Sequence, residues 1–311
     1  MAQTEIALIN NLAKDNPAAL IAKSEEQYKS FTREIATRVA NNDNLRIILL
    51  AGPSGSGKTT TANILADSIR KAGLDSFVLS LDNFYRNATD PFYPRLKNGE
   101  RDYEAVDALD IPMLEETLVN IAEEKAFFVP KYDFKIGGRT SVTEYSKISH
   151  GCVIIEGLHA LNPRISEHLP KEKVLRIFIS VSTNITHKGE RIISGKKIRF
   201  LRRMVRDSIY RGADAERTLD MWDGVLDGEN KYLYPFRNLA DVQFDTFHAF
   251  ELGVMAPYAK RLISTGLAER NGYAKTVLSA IDLAEPIDEN LVPQDSLIRE
   301  FITGGIYEEF Y

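Results

Sequence analysis

Gly52-Pro53-Ser54-Gly55-Ser56-Gly57-Lys58-Thr59 fits the spacing G-x-x-x-x-G-K-[ST], and its reading decides the fold. Each residue type has a physical task. The glycines permit backbone conformations with positive φ and let N–H groups approach phosphate oxygens closely. A helix starting near Lys58 points its positive N-terminus at the same anion. Lys58 reaches the β- and γ-phosphates of a nucleotide, and the Thr59 hydroxyl ligates Mg²⁺. At ordinary glycine usage of about 7%, the four fixed positions occur by chance in about one chain of this size in a hundred.

Outward from this loop the apolar pattern continues. Ile47-Ile48-Leu49-Leu50-Ala51 precedes it, and a helical stretch follows to about Lys71. Further apolar runs lie at Ser76–Leu81, Ala126–Val129, Cys152–Ile155, Val174–Val181 and Ala240–Phe244. Several are continuous rather than alternating, as in strands buried on both faces of a parallel sheet. Helical patterns separate most of them, which predicts an α/β fold with a doubly wound, mostly parallel sheet and helices on both faces. Residues 17–41 read as an amphipathic helix, with Tyr28, Phe31, Ile35 and Val39 at helical spacing. The predicted organisation is an N-terminal helical extension (1–44), a nucleotide-binding domain (45–270) and a C-terminal tail packed on it (271–311), with a helical stretch near 275–284.

Composition narrows the classes. The 311 residues are 44% hydrophobic and 27% charged, an ordinary globular balance. Lys and Arg number 39 against 44 Asp and Glu, a net charge of −5, which disfavours wholesale nucleic-acid binding. The single cysteine, Cys152, excludes an internal disulfide and a Cys-based zinc site. The histidines form no H-x-x-x-H pair, so no zinc site is expected. No apolar run approaches the roughly 20 residues that span a bilayer, and Met1–Asn16 lacks the features of a secretory signal. The expectation is a cytoplasmic enzyme with a small-molecule substrate, no nucleic-acid or membrane partner, and room for a homo-oligomer.

Two acids complete the loop. Asp82 follows Phe77–Leu81 at the C-terminal end of a predicted strand, the edge where ligands bind in open α/β sheets. A carboxylate there can accept the proton of an attacking hydroxyl. Glu156 ends Val153-Ile154-Ile155, where an acid sits beside Mg²⁺ or its water shell. Between Arg191 and Arg211 stand eight basic residues against one acid, Asp207. Arg199, Arg202, Arg203 and Arg206 share one broad helical face. Guanidinium groups suit phosphate oxygens, so the segment 187–212 is predicted to be a mobile, Arg-rich helical lid.

Taken in order, these residues resemble the uridine kinase/phosphoribulokinase family of P-loop kinases over roughly residues 45–265. The likeness rests on Gly52–Thr59, on Leu81-Asp82-Asn83-Phe84-Tyr85-Arg86, and on Pro130-Lys131-Tyr132-Asp133-Phe134. It rests equally on Ile154-Ile155-Glu156-Gly157, on Arg199–Asp207 and on the strand opening Ala240-Asp241-Val242. It implies a P-loop NTPase-type fold and ATP-dependent phosphoryl transfer to an alcohol, with ATP as donor and Mg²⁺ as metal. By that resemblance Asp82 is the base for the acceptor hydroxyl. Tyr85, Tyr132 and Arg199 match acceptor-side positions, and Glu104 falls where the family usually has a sugar-binding Asp. The chain departs from the pyrimidine-nucleoside kinases at two positions. The base-reading His after the Tyr-Asp-Phe motif is Gly137, and a base-contacting Gln is replaced by Arg217. Arg139 and Arg217 thereby suggest a more polar or anionic acceptor.

Catalysis accordingly falls to Lys58, Asp82, Arg203 and Arg206. ATP binding falls to Gly52, Pro53, Ser54, Gly55, Ser56, Gly57, Lys58, Thr59, Thr60 and Arg202. The acceptor is assigned Tyr85, Arg86, Glu104, Tyr132, Arg139, His159, Arg199 and Arg217, and the metal Thr59 and Glu156. The acceptor expected is uridine- or cytidine-like, with another polyol or a sugar phosphate as the alternative and a regulatory NTPase as the reading from another class. Trp222 and Cys152 read as core, and Tyr307, Phe310 and Tyr311 as docking anchors.

Overall fold

The structure, a computed structural model, describes residues 2–310. The chain opens with β1 (Gln3–Glu5), α1 (Ile6–Asp15), α2 (Pro17–Ala40), β2 (Ile47–Ala51), α3 (Lys58–Lys71) and β3 (Asp75–Ser80). It continues through α4 (Ile111–Ala122), β4 (Phe127–Asp133), β5 (Gly138–Tyr145), β6 (Gly151–Glu156), α5 (Pro163–Ser166) and β7 (Val174–Ser180). The last part holds β8 (Asn184–His187), β9 (Glu190–Ile193), α6 (Gly195–Tyr210), α7 (Ala215–Tyr232), β10 (Val242–Asp245), α8 (Glu251–Leu262), α9 (Thr265–Arg270) and α10 (Gly272–Leu283).

Five of these strands form the central parallel sheet in the order β10-β7-β2-β6-β3. β2 is wholly buried because both of its faces are covered. Ile47 and Leu49 pack with Leu114, Leu118 and Ile121 of α4. Ile48 and Leu50, one residue out of phase, pack with Ile35 of α2 and Leu65 and Ile69 of α3. Truncating any of them to Ala costs about 2–5 kcal/mol. Because the strands are parallel, β2, β3 and β6 deliver the P-loop, Asp82 and Glu156 to the same edge.

Two expectations change. Ala126–Val129 does not join the sheet: β4 pairs antiparallel with β5 in a separate hairpin. Its burial alternates, with Phe127 and Val129 inside and Phe128 exposed, and Pro130 lacks the N–H that a central strand needs. The N-terminal segment is not purely helical, since β1 pairs parallel with β8 to form a three-stranded sheet with β9. Within the segment 187–212, α6 packs Ile198, Phe200, Leu201, Met204 and Val205 into a hydrophobic core. The C-terminal segment joins that core through Leu297, Ile298, Phe301 and Ile302.

Candidate active site

The P-loop is held in shape from below. Gly55 has φ +72°, and a Cβ there would lie 2.6 Å from the Arg199 carbonyl oxygen. Gly57 caps α3 in the left-handed conformation, φ 85°. Beneath the loop, the Arg199 guanidinium donates to both oxygens of Glu229, at 2.8 and 2.9 Å, and to the Ser54 carbonyl at 2.7 Å. Glu229 also accepts the Ser54 N–H at 2.9 Å. Arg202 forms a second buried pair with Glu251, at 2.6 and 3.0 Å, and donates to the Thr246 carbonyl at 2.8 Å and the Gly55 carbonyl at 3.3 Å. Both arginines are no more than 1% exposed. They brace the loop's carbonyls, so neither Arg199 as an acceptor ligand nor Arg202 as an ATP ligand lines the cleft. A buried guanidinium needs a carboxylate partner, and α7 and α8 supply one each.

Ser54, Gly55, Gly57, Lys58 and Thr59 face a cleft of ≈ 240 Å³, while Gly52, Pro53, Ser56 and Thr60 are buried behind it. Asp82 and Glu156 line the same cleft. The Thr59 hydroxyl lies 3.5 Å from Glu156 Oε1, room for the two oxygens to share a small cation. Among the described residues no cluster of three His, Cys, Asp or Glu side chains could hold a metal alone. A hydroxyl and one carboxylate beside a phosphate cradle fit Mg²⁺, which usually takes one or two protein oxygens with phosphate and water. Burial pushes the Glu156 carboxyl up to about 7, helped by the charge of Asp82 and opposed by Lys58. Solvent in the open cleft reaches Asp82. The walls around it still desolvate the carboxyl and raise its pKa above the ordinary Asp value, against Lys58 and Arg211.

Arg203, Arg206 and Arg211 line the cleft opposite these acids. One carboxylate organises all three. Asp207 lies 3.2 Å from Arg203 Nε, 3.0 Å from Arg206 Nη2 and 3.4 Å from Arg211 Nη1. Arg203 Nη1 also donates to the Ser54 hydroxyl at 2.7 Å. Sequence reasoning missed this role of Asp207, counting it only as the lone acid in a basic run. Its i, i+4 spacing from Arg203 and to Arg211 was the available signal.

Tyr85, Glu104, Leu109, Leu158 and His159 also line the cleft. Burial raises the Glu104 carboxyl above its ordinary value, against Arg203. It pushes His159 down to about 4, so its ring is neutral. Nε2 of that ring lies 2.9 Å from the Glu104 carbonyl oxygen. Tyr132 stands against Tyr85, with ring centroids 5.7 Å apart, and faces a second cavity of ≈ 860 Å³ that shares Thr59, Asp82, Glu156, Arg206, Arg211 and Glu300 with the first. Besides Arg199, three expected acceptor ligands line neither cavity. Arg86 is engaged by Asp90 and by the carbonyls of Asp107 and Leu109. Arg139 pairs with Asp110 at 2.7 Å. Arg217 is exposed in the first turn of α7, whose cleft-facing residues are Val225 and Glu229.

This arrangement, a P-loop with an acid at each of the next two strand ends, has relatives. The model of the phosphoribulokinase/uridine kinase family matches residues 47–252. The chain belongs to that family. It is a kinase that transfers a phosphoryl group to a hydroxyl of a small molecule. The uridine kinase of Lactobacillus helveticus is 27% identical over 197 residues, 63% of this chain and 84% of the relative. That of Staphylococcus haemolyticus is 29% identical over 201 residues, 64% and 86%. Among solved structures, YFH7 of Saccharomyces cerevisiae, a P-loop containing protein with a circular permutation, superposes with TM-score 0.50 at 11% identity, covering 72% of this chain and 99% of that one, a likeness of fold. Members of the family use a nucleoside triphosphate as donor. Among the described residues, no helix is long and apolar enough to cross a membrane.

Away from the cleft, Trp222 is 1% exposed against Phe200, and Cys152 is buried in β6 with its thiol pushed up to about 12. Tyr307 docks on α3 by donating to Asp67. Tyr311 and the side chain of Phe310 lie outside the described residues.

Proposed function

We propose that the protein phosphorylates a hydroxyl of a neutral, nucleoside-type acceptor, uridine- or cytidine-like, with ATP as donor and Mg²⁺ as metal. The observation that carries this reading is the lining of the cleft. It holds the cations Lys58, Arg203, Arg206 and Arg211 together with Tyr85, Glu104 and His159. A carboxylate and a neutral imidazole suit the hydroxyls of a sugar, and an aromatic ring suits a planar base. Arg139 and Arg217, the two residues that favoured an anionic acceptor, line neither cavity, and an ionised Glu104 repels a carboxylate or phosphate placed beside it. The neutral acceptor is therefore preferred over a sugar phosphate.

In this reading Asp82 accepts the proton of the acceptor hydroxyl as it attacks. Lys58, Arg203 and Arg206 neutralise charge on the transferred phosphoryl group, and the phosphate chain rests on Gly52–Thr60. Thr59 and Glu156 would hold the Mg²⁺, which would offset the charge developing on the phosphate oxygens. Most of the rate then comes from positioning in a preorganised cleft. The test is ATP-to-ADP turnover with uridine, cytidine, purine nucleosides, inositols and pentose phosphates offered separately. The reading expects turnover with a nucleoside and none with the pentose phosphates. Turnover confined to a sugar phosphate overturns it.

A further inference from the structure

The cleft contains a carboxylate that serves neither the chemistry above nor the bracing of the P-loop. Glu300 comes from the last turns of the chain, 4% exposed, and lines both cavities. Its Oε2 accepts the Thr60 hydroxyl at 2.7 Å. Thr60 is in the first turn of α3, where the helix dipole favours a negative charge. Its Oε1 lies 3.6 Å from Arg206 Nη1. That is an ion-pair separation rather than a hydrogen bond, so the carboxylate orients the guanidinium without saturating it.

Arg206 needs such a partner. Its Nε and Nη2 donate to Asp207 Oδ1 at 3.2 and 3.0 Å, but Asp207 is shared with Arg203 and Arg211. Three guanidinium groups around one carboxylate repel each other, and a second carboxylate on the open side of Arg206 fixes its direction. The segment that delivers Glu300 is itself rigid. Leu297, Ile298, Phe301 and Ile302 are wholly buried. Arg299 ties it by donating to the carbonyls of Glu289, Val292 and Thr303, and Ser296 donates to Glu25 of α2.

We propose that Glu300 is a positioning residue for phosphoryl transfer, holding Arg206 where the two cavities meet, so that the C-terminal segment is part of the phosphate site. This rests on the reading of Arg206 given above. A long arginine fixed before the ligand arrives has less rotamer entropy to lose when the transferred phosphoryl group reaches it.

The experiment compares wild type, Glu300→Gln, Arg206→Gln and the double variant. It measures kcat and KM for ATP, and the affinities for ADP and for a non-hydrolysable ATP analogue. The amide of Gln can still accept from Thr60, so the fold is retained and only the charge facing Arg206 is lost. Glu300→Gln is expected to lower kcat about tenfold with KM for ATP within about threefold, and to weaken the ATP analogue more than ADP. The double variant is expected within about twofold of Arg206→Gln, because Glu300 acts through that side chain. Unchanged kcat in Glu300→Gln, or losses that multiply in the double variant, overturn the proposal. If Glu300→Gln does not fold, Glu300→Met, which also removes the charge at similar volume, carries the same measurement, and wild-type kcat there overturns it. A wild type without turnover on any acceptor contradicts the kinase reading instead. The Glu300–Arg206 link is then read from the ratio of analogue to ADP affinity.

Discussion

Replacing Glu229 with Ala tests whether Arg199 is a strut beneath the phosphate loop or a ligand that turns toward the acceptor. The Glu229 carboxylate takes two hydrogen bonds from Arg199, at 2.8 and 2.9 Å, and one from the Ser54 N–H at 2.9 Å. Its removal leaves a guanidinium that is 1% exposed with only the Ser54 carbonyl and the Tyr234 hydroxyl, the latter 3.3 Å away. Breaking a buried pair from one side costs about 3–5 kcal/mol. At about 2–4 °C per kcal/mol for a chain of this size, the melting temperature should fall by roughly 6–20 °C. Urea denaturation without nucleotide gives the free energy directly, and ATP affinity should fall as well because Ser54 loses a partner. Arg199→Met/Glu229→Leu removes both charges together and should recover most of the stability, since well-packed apolar replacements of buried pairs are often neutral. A loss below about 1 kcal/mol in Glu229→Ala would refute the reasoning. It would mean that the Arg199 charge escapes to the cleft.

Two further outcomes follow from the same geometry. The Glu156 carboxyl, raised to about 7 in the folded state, keeps its proton after the unfolded chain has lost it above roughly pH 4.5. Wild-type stability should therefore fall as pH rises from about 4.5 to 7, by up to about 3 kcal/mol, whereas Glu156→Gln should lack this slope. Parallel denaturation series without Mg²⁺ check this, and identical slopes would contradict it. Arg139→Ala and Arg217→Ala should leave KM for the acceptor within about twofold, while Glu104→Ala raises it about tenfold or more, because only Glu104 faces the cleft. Steady-state kinetics on the best acceptor decide between these values.

The parts of this protein that read correctly from sequence are those in which one local signal suffices. The P-loop spacing, the apolar run of β2 and the strand-end positions of Asp82 and Glu156 each depend on a few adjacent residues, and parallel strands then bring them to one edge. The basic segment misled for a reason of tertiary structure. Helical spacing placed Arg199, Arg202, Arg203 and Arg206 on one broad face but could not show that Glu229 and Glu251, 30 and 49 residues further on, draw the first two inward. Arg139 failed in the same way, because its partner Asp110 lies 29 residues earlier on another element. Glu300 was illegible altogether. Nothing in Leu297-Ile298-Arg299-Glu300 marks a functional acid, and its place depends on a core assembled from α6, α8 and α10.

The central claim, that this cleft transfers a phosphoryl group with Asp82 as the base, is tested most directly by Asp82→Asn. Asn keeps the size of the side chain and cannot accept the proton. ATP turnover should depend on the acceptor in the wild type, and the variant should lose about 10²–10⁴-fold in kcat while ATP affinity stays close to the wild-type value. Acceptor-dependent turnover that survives Asp82→Asn undiminished would contradict the account.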